Sequence, residues 1–172
     1  MKRNALVFKE MIQRYVNALP YCDKTAVLDA GCRDGYGAHL VSHTAKTITL
    51  VDKSPTCIHK LAPNSYKYLC GVEFIELDLE KTFPDRKFNT VLAFEIIEHL
   101  ANPEFFVKNV YDNLYADGYL IFSVPHMMPN PEHKTLFDEK KIKDLISKYF
   151  KIIEFQTQQD GKSYWGAGKK YE

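Results

Sequence analysis

The run from Val27 to Gly37, VLDAGCRDGYG, restricts the fold of this chain more than any other stretch. It reads as a buried strand from Ala26 to Leu28, a tight glycine-rich turn and the start of a helix. Gly31 and Gly35 permit backbone angles that other residues avoid, and let a ligand approach the main chain. The helix start offers unpaired N–H groups and a partial positive charge. Asp29 sets a carboxylate beside the turn. Such a place suits a ligand with both an ammonium and a carboxylate, that is, an amino-acid moiety. The spacing is not the G-x-G-x-x-G of a dinucleotide fold. Here Gly31, Gly35 and Gly37 follow an acid two residues before the first glycine. A glycine-containing turn in some other α/β protein is the plainer alternative.

Two more strands close on acids. Thr47 to Asp52 is rich in β-branched residues and reads as a strand. Asp52 falls about twenty residues past the glycine turn, where an acid binds ribose hydroxyls in nucleoside-binding α/β folds. Ser54 and Pro55 already supply a helix cap and first helical residue, so a capping role for Asp52 is redundant. Val72 to Asp78 alternates like a strand and again ends in a carboxylate. Ligands of open parallel sheets bind at the carboxyl ends of strands. Asp29, Asp52 and Asp78 would therefore line one crevice.

The remaining elements extend the alternation. An amphipathic helix with Phe8, Ile12, Tyr15, Val16 and Leu19 spans Asn4 to Leu19 and ends at Pro20. A helix through Leu40 and Val41 follows the glycine turn. Phe88 to Phe94 is an apolar strand. Asn102-Pro103 opens a helix carrying Phe106, Val110 and Leu114. Ala116 to Gly118 is a turn, and Tyr119 to Pro125 the fifth strand. Asp138 starts a helix with Ile142, Leu145, Ile146 and Tyr149 toward the core. Lys151 to Thr157 is a strand, and Gln159 to Lys162 turns it into a last strand over Ser163 to Tyr171. A turn of that kind makes the final pair antiparallel.

At 172 residues one domain is expected, spanning 1–172. The net charge of +1 exerts no strong pull on nucleic acid or anionic membrane. No apolar run approaches a membrane span, and the stretch after Met1 is amphipathic rather than a signal-peptide core. Cys22, Cys32, Cys57 and Cys70 show no C-x-x-C spacing and read as reduced thiols of a cytoplasmic protein.

The acid–glycine run resembles the first motif of class I S-adenosylmethionine-dependent methyltransferases, D/E-x-G-x-G-x-G, with Arg33 in the middle glycine position. The order of elements is similar over nearly the whole chain. The resemblance implies an α/β fold: a Rossmann-like seven-stranded sheet with helices on both faces and a C-terminal antiparallel hairpin. Residues 1–20 would form an N-terminal helix and 126–136 an acceptor-side loop. It implies S-adenosyl-L-methionine as cofactor. Asp29, Ala30, Gly31, Arg33 and Gly35 would meet its amino-acid end. Asp52 would lie at the ribose, with Lys53 also in the cofactor-binding set, Asp78 at the adenine amino group, and the Leu79 N–H at the ring.

Glu95-Ile-Ile-Glu98-His99 looks like the E-x-x-E-H segment of the ubiquinone-biosynthesis O-methyltransferases and their relatives in the methyltransferase type 11 superfamily. On a helix, positions i, i+3 and i+4 share a face, so Glu95, Glu98 and His99 would converge. In one reading Glu95 borders the cofactor and His99 lies near the transferred methyl. In another, Glu95, Glu98, His99 and His133 hold a divalent cation, as in the small-RNA terminal 2′-O-methyltransferases that this arrangement resembles. Carboxylate and imidazole suit Mg²⁺ or Mn²⁺. A third reading is an acidic helix start that complements the macrodipole.

In the loop Pro125 to His133, three prolines add stiffness, and Met127 and Met128 give an adaptable apolar surface. His126 and His133 there are candidate bases for an acceptor hydroxyl, the alternative being solvated loop residues. Tyr164 and Trp165 read as hairpin core. The expected function is O-methylation of a small molecule or sugar. The alternatives are a metal-dependent RNA 2′-O-methyltransferase and a non-catalytic cofactor-binding or partner subunit. The sequence names neither the acceptor nor an oligomeric state.

Overall fold

A computed structural model describes the backbone of residues 2–57 and 71–171 and the side chains from Lys9 onward. The β-branched and apolar runs form strands β1 (Ala26–Ala30), β2 (Thr47–Asp52), β3 (Val72–Glu76), β4 (Phe88–Phe94), β5 (Leu114–Pro125), β6 (Phe150–Gln158) and β7 (Ser163–Lys170). Helices α1 (Lys2–Ala18), α2 (Ala38–Ser42), α3 (Pro103–Asn113) and α4 (Glu139–Ser147) precede or connect them. The strands make a seven-stranded sheet in the order β3-β2-β1-β4-β5-β7-β6. β1 to β5 run parallel, and β7 lies antiparallel between β5 and β6. The expected Rossmann-like sheet with its terminal hairpin is present.

Each face of the sheet has its own apolar core. Tyr15 and Ala18 of α1 and Ala38 and Val41 of α2 pack with Val27, Ile48, Leu50 and Leu92. Phe106, Val107 and Val110 of α3 and Ile142 and Ile146 of α4 pack with Leu28, Val91, Leu120 and Phe122. β1 and β4 are buried nearly throughout, as strands covered by helices on both faces require. β1 pairs with β2 on one side and β4 on the other, so the strand order reverses there. A crevice outside the carboxyl ends of such strands is where open sheets bind ligands.

Caps fall where the sequence places them. Asn102 Oδ1 accepts the Phe105 N–H at 3.0 Å, and Asp138 Oδ1 accepts the Lys141 N–H at 2.7 Å. Ser54 Oγ accepts the Cys57 N–H at 3.4 Å. Tyr164 and Trp165 are buried, as expected of hairpin core. The Phe8 side chain and Cys70 lie outside the described residues.

Several boundaries differ. β3 ends at Glu76 rather than Asp78, because its partner β2 ends at Asp52, opposite Glu76. The Leu77 N–H then turns onto the Asp52 carbonyl. β5 starts at Leu114, so Leu114 is not on α3. The Ala116–Gly118 turn is absorbed into the strand as an irregularity, with Asp117 at φ +63°. Pro20 does not stop the chain from coiling: a 3-10 turn, Leu19–Tyr21, continues from α1. The helix after the glycine turn has five residues. Among the described residues no helix is long and apolar enough to cross a membrane.

Candidate functional site

The glycine turn is pinned to β2 by backbone. The Gly31 and Cys32 N–H groups both donate to the Val51 carbonyl, at 2.8 and 3.0 Å. Gly31 has φ +73°, and a Cβ there would lie 2.8 Å from Ile96 Cδ1. Arg33, in place of the middle glycine, adopts φ +52°, the left-handed geometry that glycine takes without strain. Its N–H donates to Asp52 Oδ2 at 3.0 Å. The turn keeps its shape despite the arginine, and its second strand-end acid is part of the reason. Gly37 serves a different end: a Cβ there would lie 2.0 Å from Tyr15 Cε2, so the tyrosine ring lies against bare backbone.

A cavity of about 650 Å³ opens at the carboxyl rim of the sheet. The turn contributes Gly31, Cys32, Arg33 and Tyr36, β2 contributes Asp52 followed by Lys53, and the loop after β3 contributes Leu77 to Glu80. Phe94 to Ile96, His99 and Leu100 come from the end of β4 and the turn after it, and Met128, Glu132 and Gln159 complete the lining. The sequence-predicted Gly31, Arg33, Asp52, Lys53, Asp78, Leu79, Glu95 and His99 are thus brought together. Asp29, Ala30 and Gly35 are not in the wall. They are buried, and shape the turn from behind.

Each strand-end acid is tethered, whether it lines the cavity or lies behind it. Asp52 Oδ1 accepts the Ser54 N–H at 2.8 Å, so both of its oxygens receive one backbone donor. Asp78 Oδ1 accepts the Glu80 N–H at 3.1 Å, and Lys81 Nζ lies 3.0 Å from Oδ2. The Lys81 ammonium holds the Asp78 carboxyl below the usual range. Asp29 is 1% exposed and accepts the Tyr15 hydroxyl at 3.1 Å on Oδ2. Burial pushes its carboxyl up to about 7.

The N-terminal helix walls the site, but the sequence did not mark which of its residues would face the cavity. Arg14 and Tyr15, with Glu10 and Met11, face the cavity. Tyr15 packs edge-on against Phe94, with ring centroids 4.8 Å apart, and donates to Asp29. Arg14 is 5% exposed and lies 3.3 Å from Glu95 Oε1. Its Nε is buried without a partner. Trp165 Nε1 donates to the Arg14 carbonyl at 3.3 Å and fixes this turn of α1 on β7.

The acidic segment after β4 does not form the helical face expected of it. Ile97–His99 is a 3-10 turn, and Glu95 precedes it at φ +52°. Glu95 is engaged by Arg14 and by Ser123 Oγ, which donates at 3.0 Å. It is not among the side chains whose ligand atoms converge here. Glu98, His99 and His133 do converge, with one ligand atom from each lying within 4.8 Å of the others. Glu98 is 1% exposed, and neither carboxylate oxygen has a hydrogen-bond partner. Burial, with Glu95 nearby, raises its carboxyl. His99 Nδ1 lies 3.1 Å from the Glu132 carbonyl and His133 Nδ1 2.8 Å from the Met128 carbonyl. A carbonyl only accepts, so in each neutral ring Nδ1 carries the hydrogen and Nε2 offers a lone pair. The two rings meet edge to face, with centroids 4.8 Å apart. His126 stands apart. Its Nδ1 lies 3.0 Å from the Gly161 carbonyl and its ring packs near Tyr164, away from the cavity wall.

A parallel sheet reversing at β1, a tethered glycine turn and rim acids around one cavity define a class I S-adenosylmethionine-dependent methyltransferase domain. The comparisons agree. The family model described as a methyltransferase domain matches residues 4–160, and the chain belongs to that family. A probable S-adenosylmethionine-dependent methyltransferase of Mycobacterium tuberculosis is 32% identical over 113 residues, covering 65% of this chain and 40% of that protein. A ubiquinone biosynthesis O-methyltransferase of Rickettsia prowazekii is 24% identical over 100 residues, covering 58% of this chain and 40% of that protein. The chain thus spans well under two thirds of these relatives' length. The fold matches the crystal structure of the N-methyltransferase NodS from Bradyrhizobium japonicum, solved with S-adenosyl-L-homocysteine. The TM-score is 0.83 at 15% identity, covering 95% of this chain and 87% of that one.

Proposed function

We propose that this domain transfers the methyl group of S-adenosylmethionine to an oxygen of a small-molecule or sugar acceptor. The observation that carries the reading is the cavity itself, which brings Asp52, Asp78, the glycine turn and His99 into one lining. Its volume of about 650 Å³ lies within the range of small-ligand sites.

The residues present fit the donor. Asp52 spends one lone pair of each oxygen on the backbone and keeps others for two ribose hydroxyls. Asp78 and the Leu79 N–H would hold the adenine. The orphaned Nε of Arg14 answers a carboxylate, so Arg14 joins Gly31 and Arg33 at the methionine end. When bound, the donor supplies a methyl made electrophilic by its sulfonium. The work left to the chain is alignment. His99, its Nδ1 hydrogen held by the Glu132 carbonyl, presents Nε2 to take the acceptor's proton. The ubiquinone O-methyltransferase relatives support oxygen as the acceptor atom.

The test is calorimetric. S-adenosylhomocysteine binds the wild type, and Asp52→Ala weakens it by at least about tenfold, the loss of one charge-assisted hydrogen-bonded pair. A wild type that binds none rejects the reading. A panel of phenolic and sugar hydroxyls, scored for methylated product, then tests the acceptor atom.

A second reading rests on Glu98. Two buried carboxylate oxygens without hydrogen-bond donors, with His99 Nε2 3.8 Å from one of them and His133 beside, form a donor set for a divalent cation. Glu98, His99 and His133 would hold it, and it would lower the pKa of an acceptor hydroxyl. The net charge of +1 gives an RNA acceptor little support. Mn²⁺ then raises the melting temperature of the wild type and leaves Glu98→Ala unmoved. Equal shifts, or none, reject this reading.

A further inference from the structure

Three segments from distant parts of the chain meet on one carboxylate that no catalytic role requires. Glu80 Oε1 accepts the Ala101 N–H at 2.5 Å. Lys134 Nζ lies 3.1 Å from Oε1 and 3.3 Å from Oε2 of the same side chain. Glu80 directly follows Asp78 and Leu79, the adenine end of the cavity. Ala101 follows His99 and Leu100, the reacting end. Lys134 belongs to the acceptor-side loop and is next to His133. That loop is fastened a second time, by its backbone: the Lys134 and Thr135 N–H groups donate to the Glu98 carbonyl at 2.9 and 3.1 Å.

We propose that Glu80 and Lys134 form a clamp through which donor binding orders the acceptor loop. Glu80 is then a positioning residue, and the donor binds before the acceptor. This rests on the methyl-transfer reading above. The side chains of the pair are 22% and 49% exposed. A partly exposed lysine pair contributes little alone, because holding it costs rotamer freedom. A donor seated against Asp78 and Leu79 removes freedom from the residue that follows them. Part of the ordering cost of the pair is then already met, and Lys134 stays engaged. The same donor-side event reaches His99 through Ala101. This is positive coupling between two sites through shared ordering.

Hydrogen exchange on the full chain, with and without saturating S-adenosylhomocysteine, tests it. In the wild type the ligand slows exchange of the Lys134 and Thr135 amides by about fivefold, the scale of one partly screened pair. Lys134→Met, which keeps the stem but not the charge, binds S-adenosylhomocysteine within about threefold of wild type, the scale of a surface substitution. Its amides do not respond to the ligand. Glu80→Gln, which keeps an acceptor for Ala101, loses the response in the same way. A merely structural pair would change protection equally in the free and bound states. A full ligand response in Lys134→Met overturns the clamp, as does a wild type that binds ligand without responding. A wild type that does not bind ligand at all overturns the methyl-transfer reading first, and the clamp with it.

Discussion

Asp29→Asn separates the charge of the buried acid behind the glycine turn from its shape. Asp29 is 1% exposed, and the Tyr15 hydroxyl is its hydrogen-bond donor. Burial raises its carboxyl from 3.8 to about 7, with the Tyr15 hydrogen bond opposing and the charge of Asp52 adding. Between those two pH values the native chain holds a proton that the unfolded chain has released. Stability therefore falls as pH rises through this window, by up to about 1.4 kcal/mol per pH step. Below it both states are protonated and above it both are ionised, so the contribution is flat on either side. Asparagine keeps an oxygen for Tyr15 and has no charge to bury. From pH 5 to pH 8 Asp29→Asn gains about 2–3 kcal/mol relative to wild type, once relaxation around the ionised form is allowed for. Urea unfolding at four pH values, followed by the fluorescence of the one tryptophan, measures the difference. A difference constant to within about 0.5 kcal/mol across that range would refute the buried-acid account.

Three further outcomes follow from the packing. Gly37→Ala drives a Cβ into the Tyr15 ring at 2.0 Å, and that ring is held by Phe94 and Asp29. The variant loses about 2–4 kcal/mol in urea unfolding, and a smaller loss means that α1 shifts freely. Arg14→Met weakens S-adenosylhomocysteine by at least about tenfold in calorimetry, as removal of a charged hydrogen-bond donor does. Unchanged affinity removes Arg14 from the donor site. Asn102→Ala deletes the α3 cap and costs about 1 kcal/mol in the same unfolding assay, with ligand affinity unchanged.

Local chemistry wrote most of the fold into the chain. β-branched runs, Asn102 and Asp138 as caps, and the acid–glycine turn are read within a few residues, because strands, caps and tight turns are stabilised by near neighbours. The rim pattern was legible for the same reason: Asp52 and Asp78 lie at or just past strand ends, and parallel strands carry their ends to one side. What lay beyond was decided by pairs remote in sequence. The run from Asn4 to Leu19 reads as an amphipathic helix, and nothing within it marks Arg14 as the residue that faces the cavity. Arg14 faces the site because Gly37 receives the ring of its neighbour and Trp165 holds its carbonyl. Helical spacing put Glu95, Glu98 and His99 on one face, but Glu95 takes a left-handed φ and turns to Arg14 and Ser123. His126 and His133 look equivalent in one loop. Only the packing of that loop against Glu98 on one side and the β6–β7 turn on the other separates them. Side-chain direction at a site depends on which distant backbone leaves room, and that is a property of the folded chain alone.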